Sequence, residues 1–365
     1  MGHLRGRTGM SARGIALLGV SIVSLALSAC GDRGDTKTDQ SSAARVAAAL
    51  DVCASGNDEF DRSVCANGAL SALETQIRET LVAESASVSD AGAELLVQNQ
   101  RRWREAARVM CGVIDAQAAP SAEQEACLEG EFRSRLQAAA SSVQQMGGYT
   151  FQRMELVDAV PVTAEVASAS GLGDEAPPAI SRDIRFPRID GPQTPEIQRF
   201  NELVARQPQR SLGEATNEAV DYTIAFAGPE LISVRFVMSE DTLGAAHPNN
   251  SERAVTVVMS EGRALTEADV FRPGSDWQNF LTRRAVTEIT RQYREYDFTP
   301  PERDVRESAT KPHLWIITES GLTILFPPYS FGGPHVLGGT EVSIPWADLR
   351  PYLNPAAPAP IRPSA

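Results

Sequence analysis

Histidine is scarce, with four in 365 residues. Beyond residue 29 only His247, His313 and His335 remain. Any catalytic triad or zinc centre would have to draw on these three. The chain has no G-x-S-x-G, H-E-x-x-H or P-loop pattern, so three common signatures of catalysis are missing. It has no C-x-x-C pair, and no cysteine after Cys127. Cysteine-based zinc or redox chemistry therefore lacks its usual spacing. An excess of positive charge is missing too. Lys and Arg number 34 against 47 Asp and Glu, a formal net charge of -13. That balance disfavours nucleic acid, whose phosphates demand cations. It favours basic partners and speeds their encounter at low salt.

What is present begins with an export address. Arg5, Arg7 and Arg13 flank the start of an apolar run over 15–27, which ends in Leu27-Ser28-Ala29-Cys30. A positive start, a short apolar centre and small residues before a cleavage point read as a signal peptide over 1–29. The run falls short of the roughly 20 residues of a membrane span. Leu27-Ser28-Ala29-Cys30 resembles the lipobox of bacterial lipoproteins, and the resemblance implies cleavage before Cys30 and acylation of it. Each buried methylene contributes about 0.8 kcal/mol, and two or more chains anchor stably. Gly31 follows in place of Asp. By the sorting pattern of some Gram-negative lipoproteins this points to the outer membrane, with the chain facing the periplasm. Removing residues 1–29 takes away three arginines and no acids, which leaves a net charge of -16.

The rest reads as a multi-domain chain: a disulfide-stapled all-α domain followed by an α+β domain with a mostly antiparallel sheet. Residues 30–44 are small and polar, a flexible tether. The helical domain spans 45–145. Leu70, Leu73, Ile77 and Leu81 repeat at helical spacing, as do Leu96, Trp103, Ala107 and Met110. A third helix opens at Ser121, with Gln124 completing a capping box, and Leu128, Phe132 and Leu136 line it. Cys53, Cys65, Cys111 and Cys127 form an even set, which in an exported chain reads as two disulfides. Sequence does not fix their connectivity. Cys53–Cys65 and Cys111–Cys127 are expected because each closes a short loop at a helix end. Residues 146–178 read as a linker holding a strand over 150–157. Within it, 171–176 fits G-x-G-x-x-[GA] but lacks the flanking strand and helix of a dinucleotide site. The α+β domain spans 179–353. Pro195 opens a helix there, and Ile232, Val234, Phe236 and Met238 share one strand face while Ser233 and Arg235 point away. The Pro/Ala-rich residues 354–365 read as a disordered tail.

Candidate binding loops carry His247, Tyr329 and His335. Both histidines lie in glycine-rich loops, where functional groups concentrate. A cleft holding both, with Tyr329 and an acid, would bind a metal or move a proton, the arrangement of a metal-dependent hydrolase. The plainer reading is that each imidazole braces its own loop, with no metal, no cofactor and no enzyme. In Arg101-Arg102-Trp103-Arg104, Trp103 reads as core and the arginines as a solvated helix face. Acid pairs such as Glu240-Asp241 are too common in so acidic a chain to nominate.

Two resemblances extend this reading. Cys53…Cys65 with Leu70-x-x-Leu73, then Gln100-Arg101-Arg102-Trp103 leading to Arg108-x-x-Cys111, then Cys127 before Phe132-Arg133-x-Arg135-Leu136, resemble the LprI-type lysozyme-inhibitor family over residues 50–140. Glu74 departs from that family, which usually places Asp there. Residues 179–353 resemble the extracellular domain shared by RsiV-type anti-sigma factors and the non-catalytic part of PdaC-type peptidoglycan deacetylases. The matching segments are Ile184-Arg185-Phe186-Pro187-Arg188-Ile189, Phe200-Asn201, Leu231-Ile232-Ser233-Val234, Gly244-Ala245-Ala246-His247-Pro248, the stretch 265–271, the stretch 321–330, and Val342-x-Ile344-Pro345. RsiV-like proteins bind lysozyme through this domain. The resemblances imply an envelope lipoprotein that binds or inhibits lysozyme or another muramidase. The alternative is an envelope-maintenance protein that recognises peptidoglycan or an envelope protein. The deacetylase's catalytic domain and a sigma-binding segment have no counterpart in the sequence.

Overall fold

The structure, a computed structural model, describes residues 41–56, 58–206, 215–333 and 337–362. Cys30, the expected signal and most of the expected tether lie outside the described residues, as does His335.

Helices α1 (Ser42–Ala49), α2 (Val52–Ser55), α3 (Glu59–Ala66), α4 (Gly68–Glu84), α5 (Asp90–Met110) and α6 (Ala122–Ala139) come first. Each begins at a side chain that accepts a bond from a first-turn N–H: Ser41, Asp51, Asp58, Asn67, Ser89 and Ser121 in order. These caps satisfy donors that a helix start leaves open. The capping box read at Ser121 and Gln124 is formed. The apolar repeat of α4 and α5 packs Leu70, Ile77, Leu81 and Leu96 into a core with Phe132 of α6. Trp103 meets Phe132 edge-on, ring centres 5.1 Å apart. Periodicity reveals three of the six helices; the three short ones at the front carry too few turns to show it. The two disulfides are Cys53–Cys65 and Cys111–Cys127, each with Cα atoms 5.6 Å apart. Cross-links over such short loops each contribute roughly 3 kcal/mol.

Next come β1 (Val143–Met146), β2 (Tyr149–Pro161), α7 (Ala164–Ala169), β3 (Ala179–Ile189), α8 (Pro195–Ala205), β4 (Thr216–Ala227), β5 (Leu231–Thr242), β6 (Asn249–Val258) and β7 (Arg263–Ala264). The strands form a seven-stranded sheet in sequential order. Its one parallel pair is β3 with β4, and α8 lies between them in sequence as the crossover such a pair requires. Ile184, Phe200, Val220, Phe236 and Val257 build the core between sheet and α8. The chain continues as α9 (Glu267–Val270), α10 (Trp277–Gln292), α11 (Glu302–Ala309), β8 (Trp315–Ile317), β9 (Gly321–Phe326), β10 (Thr340–Pro345) and α12 (Trp346–Leu349). Strands β8 to β10 make a second, antiparallel sheet. Trp277, Trp315, Phe326 and Phe331 fill its core.

Three expectations change. The expected linker over 146–178 is in large part sheet, because β2 runs to Pro161 and pairs with β3 from Phe151 onward, which leaves 162–178 as the connection between those two strands. The expected strand stops at 157 because the sequence reading follows apolar residues. Ser233 points away from the apolar face of β5 but is not exposed. Its hydroxyl accepts from the Ile317 N–H at 3.1 Å, since the second sheet covers that side. The tail does not detach at 354: Ala357 and Ile361 are buried in the last core.

A buried ionic cluster joins the helices to the sheet. Arg153 and Glu155 are two apart on β2, and so on one face. Glu155 pairs with Arg135 of α6 at 2.6 Å and with Arg153 at 2.8 Å. The Glu155 side chain is 2 % exposed and that of Arg135 3 %. Gln100 accepts from Arg135 at 2.8 Å, and Asn99 donates to the Arg153 carbonyl at 2.8 Å. At the other end of α5, Ser89 donates from backbone and side chain to Asp190. Gly92 fits beneath this contact, where a Cβ would lie 2.8 Å from the Asp190 carboxylate. The described residues accordingly form one compact unit.

Burial alone would raise the Glu155 pKa, but the two guanidiniums outweigh it and hold the carboxyl below its ordinary value. Its stabilisation is present at neutral pH and fades as pH falls through that lowered pKa. Glu155→Gln leaves two buried cations without their anion and is expected to cost about 3 to 5 kcal/mol in urea unfolding at pH 7. The deficit should shrink in acid, where the wild-type carboxyl is protonated. A loss below about 1 kcal/mol at pH 7 would contradict this assignment.

Candidate binding groove

The β5–β6 hairpin carries residues of both of its faces into packing, but not along its full length. One face meets α8. The other is covered near Ser233, Ala254 and Thr256, where Leu314, Ile316 and Leu325 pack on it. Farther along, the second sheet stops and Val237 is left 45 % exposed. Across from it stand Pro327, Pro328 and residues 338–341, which enclose a cavity of about 470 Å³. Arg235 crosses its base, paired with Glu252 of β6 at 2.6 Å and Glu341 of β10 at 3.0 Å. This bridge fixes the width of the opening by tying one sheet to the other.

Glu252 and Pro327 also border a second cavity of about 520 Å³, so the two adjoin. Asp304, Glu307 and Lys311 line it from α11 and the turn after it, with His313 and Tyr329. Tyr329 is 56 % exposed and has a φ of 68°. That left-handed backbone is strained for a side chain with a Cβ, by about 1 kcal/mol or more. The loop holds it there by packing. Ser308 donates to the Ser330 carbonyl at 3.0 Å, and Phe331 is buried against Tyr293 and Phe298. Gly332, at φ 76°, allows the loop to lie on α11, because a Cβ there would come within 2.8 Å of the Asp304 carboxylate. Burial lowers the His313 pKa, as do Lys311 and Arg253, which favours the neutral imidazole.

The expected site residues are not gathered at one point. Tyr329 lines the second cavity; His247 does not. His247 sits exposed on the turn between β5 and β6, its Nδ1 3.0 Å from the Pro248 carbonyl oxygen. His335 lies outside the described residues. Among the described residues, no group of three or more His, Cys, Asp or Glu is placed to hold a metal ion. His313 is counted among the three histidines but not among the candidate loops, and the acids of α11 are not singled out by the sequence, since no local motif marks them. The stretch 265–271 has a structural role. Asp269 closes a capping box with Thr266 and accepts from both terminal nitrogens of Arg263, which holds its pKa down to about 2. No helix among the described residues is long and apolar enough to cross a membrane.

Tyr329→Gly separates strain from packing. Relief of about 1 kcal/mol of strain is set against roughly 0.4–1 kcal/mol from the freer unfolded chain. The melting temperature should stay within about 2 °C of wild type. A fall of about 4 °C or more would mean that the ring supports the fold and is not a surface element.

Residues 268–347 match the family described as "Protein of unknown function (DUF3298)". A solved member of that family from Bacteroides fragilis NCTC 9343 is 14 % identical, with 58 % of this chain and 96 % of that chain covered and a TM-score of 0.40. A DUF3298 family protein from Pseudomonas aeruginosa PAO1 is likewise 14 % identical, with 60 % and 98 % covered and a TM-score of 0.41. No curated protein matches the chain. The matched residues 268–347 include Asp304, Tyr329 and Glu341 of the groove.

Proposed function

We propose that this protein is a non-enzymatic lipoprotein of the cell envelope that binds a strongly basic muramidase of the lysozyme class. One observation carries the reading. The paired cavities expose Val237 and Tyr329 beside Glu252, Asp304, Glu307 and Glu341. An apolar centre with a charged rim is the anatomy of a protein-binding surface. Within this lining Arg235 and Lys311 leave the four acids in excess, and the whole chain is acidic. Such a surface steers a cationic protein toward itself and raises association rate more than affinity. The resemblances to lysozyme-inhibitor and RsiV-type domains point the same way, and the lipobox-like Cys30 supplies the membrane anchor. In this reading Cys30 holds the chain at the outer membrane, facing the periplasm where a muramidase acts.

Calorimetric titration of protein lacking residues 1–30 with c-type lysozyme tests the proposal. Saturable binding is expected at low salt, weakening about tenfold or more as added salt screens the rim. Glu252→Gln with Glu307→Gln should slow association. Absence of binding to several lysozymes at low salt would end the proposal. Retention on purified sacculi without lysozyme would favour peptidoglycan recognition instead.

A further inference from the structure

The Arg101-Arg102-Trp103-Arg104 cluster divides: Arg101 and Arg102 stay exposed on the helix face, as expected, and only Trp103 and Arg104 turn inward. Trp103 enters the helical core, and Arg104 turns to Asp61 and Glu74. Arg101 and Arg102 instead border a cavity of about 460 Å³ between α5 and the end of β2. Arg101 donates to the Ala49 carbonyl at 3.2 Å, the end of α1. Arg102 donates to the Glu155 carbonyl at 3.3 Å. A guanidinium has five N–H donors, so each arginine is oriented by one bond and keeps others for a ligand.

The charge pattern around them is uneven. Two acids line the same cavity, and each already has an arginine: Glu105 pairs with Arg108 at 3.1 Å, and Asp158 with Arg182 at 2.5 Å. Among the described residues, neither Arg101 nor Arg102 has a carboxylate partner. Arg235, in the groove described above, shows the contrast, because two glutamates neutralise it. Among the described residues this cavity thus holds two guanidiniums with no carboxylate of their own, beside two acids that are each engaged by another arginine. Ala106 and Val157 give it an apolar wall. Forked N–H donors match the oxygens of a phosphoryl group, and the volume falls within the range of small-molecule sites.

We propose that the Arg101–Arg102 cavity binds a phosphate-type oxyanion, carried either by a soluble phosphorylated molecule or by a phospholipid headgroup. This site is separate from the muramidase groove and does not depend on that proposal. Inorganic phosphate is the probe, titrated calorimetrically at low salt into protein spanning 40–365, the compact unit. Saturable binding is expected, reduced at least about tenfold in Arg101→Ala/Arg102→Ala and unchanged in Arg303→Ala, whose side chain is 90 % exposed elsewhere. Arg101→Lys/Arg102→Lys keeps the charge without the fork and should fall between the two. Unchanged thermal unfolding of the double variant shows that the fold is kept. Flotation with phosphatidylglycerol–phosphatidylcholine vesicles distinguishes the sources. Capture lost in the double variant assigns the headgroup; phosphate binding without capture assigns a soluble ligand. No saturable phosphate binding, or equal binding by the double variant, would overturn the proposal.

Discussion

Glu155 is the carboxylate on which the architecture turns. It sits on a sheet strand, yet one of its partners comes from a helix: Arg135 of α6 on one oxygen, Arg153 of its own strand on the other. Removing such charges from water costs several kcal/mol per ion, recovered only when geometry and hydrogen bonds are complete. Gln100 and Asn99 complete much of it. A buried ion pair is a poor source of raw stability compared with apolar packing, but it tolerates only one register. Here it sets α5 and α6 against β2, and the Ser89–Asp190 contact repeats the constraint at the far end of α5. The helical region and the sheet are therefore one body.

That rigidity matters for both surfaces. The first lies where the second sheet leaves part of the β5–β6 hairpin uncovered, and its width is set by Arg235 between Glu252 and Glu341. The second lies at the helix–sheet junction itself. Arg102 is oriented by the carbonyl of the same Glu155 whose side chain holds Arg135. The two surfaces differ in electrostatic character: acids are in excess around Tyr329, whereas around Arg101 two arginines stand beside two acids that pair with other arginines. A single chain can in this way carry both the proposed muramidase-binding face and the proposed anion-binding face without either neutralising the other.

Much of this fold is legible in the sequence because it follows local periodicity. The repeats of α4 and α5, the Ser121 box, the proline opening α8 and the alternation of β5 are each written within one element. What escapes is set by contacts between elements. Arg135, Arg153 and Glu155 look like solvated charges until α6 and β2 meet. Ser233 looks like an outward polar residue until the second sheet covers it. Ile361 looks like part of a Pro/Ala tail until its core is built. The same limit applies to the groove. Tyr329 stands out as a loop aromatic, but its neighbours Asp304, Glu307 and His313 come from 16 to 25 residues away in sequence and have no shared motif. His247 is drawn in by its loop setting, but the glycine beside it, Gly244 at φ 80°, serves the β5–β6 turn.

Buried charge makes two domains that read as separate in the sequence a single cooperative unit. Differential scanning calorimetry of protein spanning 40–365, with its disulfides intact, tests it most directly. One transition is expected, with calorimetric and van't Hoff enthalpies in agreement. Two resolved transitions, one assigned to the helices and one to the sheets, would contradict it.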